Sequence, residues 1–160
     1  MAIFNGTTVF ATPTRLIDDF FAFPGTDATN LRNGVFLTAG DVNGDGREDL
    51  IFGGGPGGGP RVFILDGTKI AANQVPQAQT SPIANFFVKG NAADRGGVRL
   101  AANDLDGDGR ADLIVGSGEG VAATTRVYLG KNFTTTAEPT TFQDVAVFGG
   151  AVLANGVFVG

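Results

Sequence analysis

Short apolar runs alternate with polar, glycine-rich segments along the whole chain of 160 residues. The runs are rich in Val, Ile and Phe, and Gly, Pro, Asn and Asp separate them, which is typical of β-strands joined by tight turns. No stretch keeps the three- and four-residue spacing of apolar side chains that an amphipathic helix requires. The sequence therefore predicts an all-β fold of short strands.

This pattern occurs twice in the middle of the chain. Residues 34–51, GVFLTAGDVNGDGREDLI, align without gaps on residues 97–114, GVRLAANDLDGDGRADLI. PRVFILDG and NFFVKG follow the first copy, and TRVYLG and VAVFGG follow the second, so each unit predicts four strands, a to d. Matching PRVFILDG to TRVYLG pairs Arg61 with Arg126 and makes the glycine-rich loop between strands b and c two residues longer in the second unit. For this repeated arginine, a structural ion pair is favoured over a place in a ligand pocket.

Parts of a third unit lie near the two ends of the sequence. AIFNGTTVFATP fits strands b and c, with Val9 and Phe10 in strand c, and DDFFAFPG fits strand d. NGVFVG fits strand a. The prediction is a single module over residues 1–160, with a split blade at 1–33 (strands b to d) and 151–160 (strand a), a second blade at 34–96 and a third at 97–150.

Four-stranded antiparallel units repeated around an axis form the blades of a β-propeller. Three blades are fewer than the usual four to eight, because so small a ring would curve too sharply to pack its faces. We therefore predict a homodimer of six blades, in which strand a at the C-terminus of each chain completes the split blade of its partner. The alternative is a piece of a longer propeller, with an artificial edge at residues 156–160.

The loop between strands a and b carries side-chain oxygens at alternate positions. Counted from its first Asp, they fall at positions 1, 3, 5 and 9, and the glycine at position 6 makes a sharp turn that brings the carbonyl of position 7 inward, as in an EF-hand loop. Position 12 lacks the EF-hand glutamate, so the Asp at position 9 takes the closing role. The predicted ligands are Asp41, Asn43, Asp45, the Arg47 carbonyl and Asp49 in the first loop, and Asp104, Asp106, Asp108, the Arg110 carbonyl and Asp112 in the second.

Oxygen-only ligands select a hard cation, and abundant carboxylates favour Ca²⁺ over Mg²⁺. Binding two Ca²⁺ would bring the formal charge of −5 to about −1, which accounts for most of the acidity. Because Asn43 replaces a carboxylate, we expect the first site to bind more weakly than the second.

Other chemistry is largely excluded. The chain has no His and no Cys, so it lacks the commonest general base and any thiol nucleophile, and no nucleophile–base arrangement points to an enzyme. The negative charge argues against nucleic acid as a partner. GGGPGGGP, at residues 53–60, lacks the Lys-Ser/Thr and the helix of a phosphate-binding loop.

Membrane insertion is not expected either. The most apolar stretch, residues 145–160, is broken by glycines and is too short to span a bilayer. The first residues lack the basic flank and long apolar run of an intact secretory signal.

DVNGDGREDLIFGGGP and, more loosely, DLDGDGRADLIVGSG resemble the FG-GAP/VCBS repeats of integrin α-subunit propellers and bacterial surface proteins. The resemblance implies Ca²⁺ between the first two strands of a blade, on the residues given above. It implies two Ca²⁺ per chain, because the third unit has no such loop, and an extracellular or cell-surface location. The resulting hypothesis is a calcium-stabilised binding module in adhesion or surface interaction.

Two alternatives remain open at this point. One is a lectin-like propeller that binds glycans, although the lack of Trp and the single Tyr128 weigh against sugar stacking. The other is a purely structural repeat without its own ligand.

Overall fold

The computed structural model describes residues 1–31 and 33–160 and contains two four-stranded antiparallel sheets. Their strand orders are β1-β2-β3-β4 (sheet 1) and β5-β6-β7-β8 (sheet 2). The predicted all-β fold of four-stranded units is confirmed, whereas the number of blades and the dimer stay predictions. The strands are β1 (Val35–Gly40), β2 (Asp49–Gly54), β3 (Arg61–Leu65), β4 (Ala84–Phe87), β5 (Val98–Asn103), β6 (Asp112–Ser117), β7 (Thr124–Tyr128) and β8 (Gln143–Ala146).

Over residues 1–31 and 33–160, three short α-helices lie outside the sheets: α1 (Asp27–Asn30), α2 (Gly67–Ala71) and α3 (Val75–Thr80). They span four to six residues, too few for an amphipathic period to show in the sequence. Local chemistry sets two of them, because the Asp66 carboxylate caps α2 through the backbone N–H of Lys69 at 3.1 Å, and a proline stands in the first turn of α3. Within the described ranges, the helices are all too short to cross a membrane.

The two sheets share one register. Leu50 lies opposite Leu65 in sheet 1, and Leu113 lies opposite Tyr128 in sheet 2. Arg126 therefore corresponds to Phe63, and the predicted match of Arg61 with Arg126 is wrong, as is the longer second glycine-rich loop. The Arg-Val dipeptide shared by the two sequences favoured the wrong alignment. The hydrogen-bonded pairing gives the β2–β3 and β6–β7 loops the same length.

A dry core fills the space between the sheets. Ile51 and Ile64 of sheet 1 pack with Val98, Val115 and Tyr128 of sheet 2 in one buried cluster. Gly53 permits the close approach, because a Cβ there would lie only 3.0 Å from the side chains of Val98 and Leu100. The middle strands of sheet 1, β2 and β3, thus bury one face against sheet 2, as a blade of a propeller does against its neighbour.

The N-terminal segment, residues 1–23, covers the other face of sheet 1. Ile17 and Phe23 are buried there in a cluster with Phe52 and Phe63. The described part of this segment has no strand, only an isolated bridge between Phe4 and Arg15. The placement of Val9 and Phe10 in strand c is wrong, because that bridge leaves them in the connecting turn.

Residues 155–160 pack on sheet 2 much as β5 packs on sheet 1. The N–H of Val157 donates to the carbonyl of Ser117 at 2.9 Å. A Cβ on Gly156 would lie 2.6 Å from the carbonyl oxygen of Ser117, and one on Gly97 would lie 2.4 Å from that of Gly54. This matches the predicted position of a further strand a. The split blade itself stays a prediction, and Arg32, within its 1–33 segment, lies outside the described residues.

Candidate metal centre

Two loops, residues 41–48 and 104–111, join the first two strands of each sheet. Two glycines in each loop have positive φ: Gly44 (76°) and Gly46 (83°), and Gly107 (77°) and Gly109 (83°). Glycine adopts this backbone region without steric cost, which is why the spacing of these glycines is the same in both copies. The loops therefore coil, with the side chains at positions 1, 3 and 5, counted from the first Asp, on the inside.

The first Asp of each loop organises the coil. The Asp41 carboxylate accepts the backbone N–H groups of Gly44 and Gly46, both at 2.7 Å. Asp104 accepts the equivalent N–H groups of Gly107 and Gly109 at 2.7 and 2.9 Å. The same bonds form in both loops, so the two share one geometry.

The second loop brings three predicted ligands together. Asp104, Asp106 and Asp108 each offer a carboxylate oxygen, and these oxygens lie within 4.8 Å of one another. The N–H of Arg110 donates to Asp108 at 2.9 Å. An inward-facing Arg110 carbonyl stays a prediction.

The first loop is arranged around an amide. The Asn43 side-chain oxygen accepts the N–H of Asp45 at 2.8 Å, while its amide nitrogen lies 3.4 Å from both Asp45 and Asp49. The N–H of Arg47 donates to Asp45 at 2.9 Å, and a role for its carbonyl also stays a prediction. The amide thus takes the place at which the second loop has the carboxylate of Asp106.

Backbone N–H groups hold the carboxylate at the ninth position counted from the first Asp of each loop, and its role as the closing ligand stays a prediction. Asp49 and Asp112 are fully buried, and Asp112 does not belong to the converging group of the second loop in the described structure. Both oxygens of Asp112 accept backbone N–H groups, from Leu105 and Gly130, each at 2.9 Å. Asp49 binds the N–H groups of Val42 and Gly67 in the same way, at 3.1 and 2.9 Å. These carboxylates join the loop to the segment after the third strand.

Burial raises the pKa of the Asp49 carboxyl to about 6, although the N–H groups of Gly67 and Val42 act in the opposite direction. Its ionised form is therefore costly without a nearby cation. The exposed Asp45 differs, because the hydroxyl of Thr68 holds its pKa below the usual value.

One residue beside each loop was not predicted from the sequence. The hydroxyl of Thr68 donates to Asp45 at 2.9 Å, and the Lys131 ammonium lies 2.5 Å from Asp106 and 3.4 Å from Asp108. The hydrogen bond from the Lys131 ammonium lowers the pKa of Asp106. Thr68 and Lys131 each follow the glycine that donates to the buried Asp, at the same place in the two repeats, so an alignment extended to this point would have found them.

Residues 41–115 match the family model of the FG-GAP-like repeat. This segment is similar to the FG-GAP-like repeat. The predicted resemblance to the FG-GAP/VCBS family is thus confirmed, and the match runs from the first residue of one loop to the strand that follows the other. No curated protein and no solved structure gives a significant match.

The donor set of the FG-GAP-like loops fits a hard divalent cation. All of its side-chain donors are oxygens, with carboxylates in the majority, and those of the second loop converge. Lys131 already places a positive charge on that group. The residues present therefore fit Ca²⁺.

The main charged cluster outside the loops surrounds Arg126, which is almost completely buried. Its guanidinium binds Asp144 through two bonds of 2.6 Å and Glu138 at 2.7 Å. It also lies over the Phe142 ring, 3.6 Å from the centroid. We interpret this cluster as structural, because it fixes the segment between β7 and β8 onto sheet 2 with its charges paired.

Proposed function

We propose that this FG-GAP-like module binds two Ca²⁺ per chain, one in each loop between the first two strands of a sheet, and that the metal stabilises its propeller blades. The convergence of Asp104, Asp106 and Asp108 is the observation that carries the proposal. Three carboxylates so close together repel one another, and a divalent cation converts that repulsion into attraction. The first loop repeats the same backbone geometry, with Asn43 as a neutral donor.

The loops suit a calcium-rich setting. The converging carboxylates of the second loop are exposed, the first loop has an amide in place of a carboxylate, and the second has a competing ammonium. Sites with fewer net charges bind calcium more weakly, and extracellular modules work with dissociation constants of roughly 10⁻⁴–10⁻³ M. We therefore propose an extracellular or cell-surface location, where the module serves in adhesion or surface interaction.

Calorimetric titration of the metal-free chain tests the metal sites. We expect two Ca²⁺ per chain, and one after the substitution Asp108→Ala, since this removes a converging carboxylate of the second loop alone. Asp94→Ala is a matched control, because Asp94 lies outside both loops and binds the N–H of Gly96 at 2.8 Å. Absence of binding in the unmodified chain, or two remaining sites in Asp108→Ala, would contradict the proposal.

Lys131 should weaken the second site. An incoming Ca²⁺ must displace its ammonium or bind beside it, so we expect Lys131→Thr to raise the calcium affinity of the second loop about three- to tenfold. The substitution copies Thr68 of the first loop. Lys131 thus narrows the expected difference between the two sites, because one positive charge offsets the extra carboxylate.

Lys69→Gln removes the same charge at a side chain that pairs with Asp66, outside the loops, and serves as the control for net charge. The measurement is a titration at low and high salt. An unchanged or reduced affinity in Lys131→Thr would show that the lysine does not compete with calcium.

A further inference from the structure

We propose that the open face of sheet 2 binds a second copy of this chain, which docks there through its N-terminal segment (residues 1–23). The open face consists of Leu105, in the second loop, and of Ile114, Val127 and Val145, apolar residues of sheet 2 on the side away from the cluster buried between the sheets. The proposal names the partner of the module and does not depend on bound calcium.

The internal repeat shows what the open face normally packs against. Its equivalents in sheet 1 are Val42, Ile51, Ile64 and Phe86, which sheet 2 buries to between 0% and 4% exposure. On the open face, Leu105 is 48% and Val145 43% exposed. Ile114 and Val127 are half-buried. The same apolar positions are thus covered by the neighbouring sheet in sheet 1 and largely exposed in sheet 2.

The first strand of a further sheet is already in place beside the open face. Residues 155–160 contact β6, where the carbonyl of Val157 lies 2.0 Å from the Cβ position of Gly116. Phe36, Arg99 and Phe158 occupy equivalent places on successive inner strands, and the Arg99 guanidinium lies 4.4 Å from the Phe36 centroid and 5.0 Å from that of Phe158. Phe158 is still 68% exposed, so the row can continue beyond it.

The opposite end of the molecule has the complementary surface. The N-terminal segment packs on sheet 1 from the side away from sheet 2, yet Phe4, Leu16 and Phe21 remain 41%, 58% and 65% exposed. Backbone bonds from Asn5 to Thr14 and from Leu16 to Ile3 join its two arms, as between neighbouring strands. This segment therefore has two hydrogen-bonded arms at the place of the middle strands of a blade, which residues 155–160 lack.

An apolar groove of about 400 Å³ lies between the N-terminal segment and the start of β1, lined by Met1, Phe21, Phe23, Leu31 and Val35 among others. It borders β1 on the side away from sheet 2, where the inner strand of a preceding sheet would lie. We assign it to residues 155–160 of the second copy.

A second copy of the chain provides a surface for the open face and, at the same time, one for the N-terminal segment. Each chain would offer its N-terminal segment to the open face of the other, which gives two equivalent contacts related by a two-fold axis. The assembly closes, and both sets of exposed apolar side chains are covered, which is the main driving force for association.

Light scattering coupled to size-exclusion chromatography tests the assembly. We expect about twice the 16.3 kDa of one chain. Phe4→Asp and Val145→Asp should each give a monomer, because each places a charge in both contacts of the dimer. Gln77→Glu adds the same charge on the exposed side of α3 and should leave the dimer intact. Circular dichroism confirms that each variant is folded.

Mixing the two monomeric variants gives the sharpest test. The Val145→Asp chain retains a normal N-terminal segment, and the Phe4→Asp chain retains a normal open face, so one intact contact can form between them. We expect the mixture to show the light-scattering mass of a dimer, whereas each variant alone shows the mass of a monomer. If identical surfaces met in the dimer, every contact between the two variants would include one substituted surface. No intact contact could then form, and the dimer would not be recovered.

A monomeric unmodified chain, an open-ended polymer, or a dimer that survives Val145→Asp would each overturn the proposal. Calcium titration of the Val145→Asp monomer keeps this test apart from that of the metal sites. Two Ca²⁺ bound to a monomer would leave the proposed function standing without the dimer. A dimer that binds no calcium would support the proposed assembly and contradict the proposed metal sites.

Discussion

Removal of calcium should lower the melting temperature of the chain by roughly 6–20 °C. A ligand at ten to a hundred times its dissociation constant stabilises the folded state by about 1.4–2.7 kcal/mol per site, or roughly 3–5 kcal/mol for two sites. One kcal/mol shifts the melting temperature of a domain of this size by about 2–4 °C. The physical cause is the repulsion within Asp104, Asp106 and Asp108, which only the folded loop holds together.

Scanning calorimetry in calcium and in EGTA measures this difference. The double variant Asp45→Ala/Asp108→Ala is the matched control, because it removes a central carboxylate from both loops and should melt at the same temperature in either buffer. Magnesium should restore less stability than calcium, since it needs a tighter octahedral geometry. Coincident melting curves of the unmodified chain in calcium and EGTA would rule out a stabilising metal.

The substitution Asp112→Ala should destabilise the fold by about 2–6 kcal/mol even in EGTA. Its fully buried carboxylate accepts two backbone N–H groups, and each donor left unpaired costs roughly 1–3 kcal/mol. Asp49→Ala should behave alike, since Asp49 binds the equivalent N–H groups of Val42 and Gly67. Denaturant unfolding of the metal-free variants measures the loss.

Asp106→Ala separates this structural role from metal binding. Asp106 is exposed and accepts the N–H of Asp108 at 3.2 Å and a hydrogen bond from the Lys131 ammonium, so its loss should leave the denaturant midpoint of the metal-free protein nearly unchanged. If Asp112→Ala instead left the metal-free protein as stable as before, or made it more stable, Asp112 would have no structural role of its own.

The sequence was informative where the structure is local. The loops could be predicted because the aspartates and glycines that shape them lie within six residues, so one short segment contains both the bonds and the turns. The alternation of apolar residues likewise predicted the strands of both sheets. These features depend on neighbours along the chain, which a sequence displays directly.

Features that depend on distant partners were predicted poorly. The buried role of Asp112 involves Gly130, eighteen residues away, and Lys131 reaches Asp106 across twenty-five. The match of Arg61 with Arg126 failed because strand register is decided by hydrogen bonding between strands and not by the letters at one end. Phe10 looked like a strand residue, yet it is fully exposed in a turn.

One backbone bond links the two loops. The N–H of Ala111, at the end of the second loop, donates to the carbonyl of Asp41, the first residue of the first loop, at 2.7 Å. A pulling force that separates the sheets must therefore act on the backbone of the residue that begins the first cation loop. A cation held by Asp41 would stiffen that point of attachment. The metal would then set the mechanical strength of the joint between neighbouring repeats, in addition to the stability of each one.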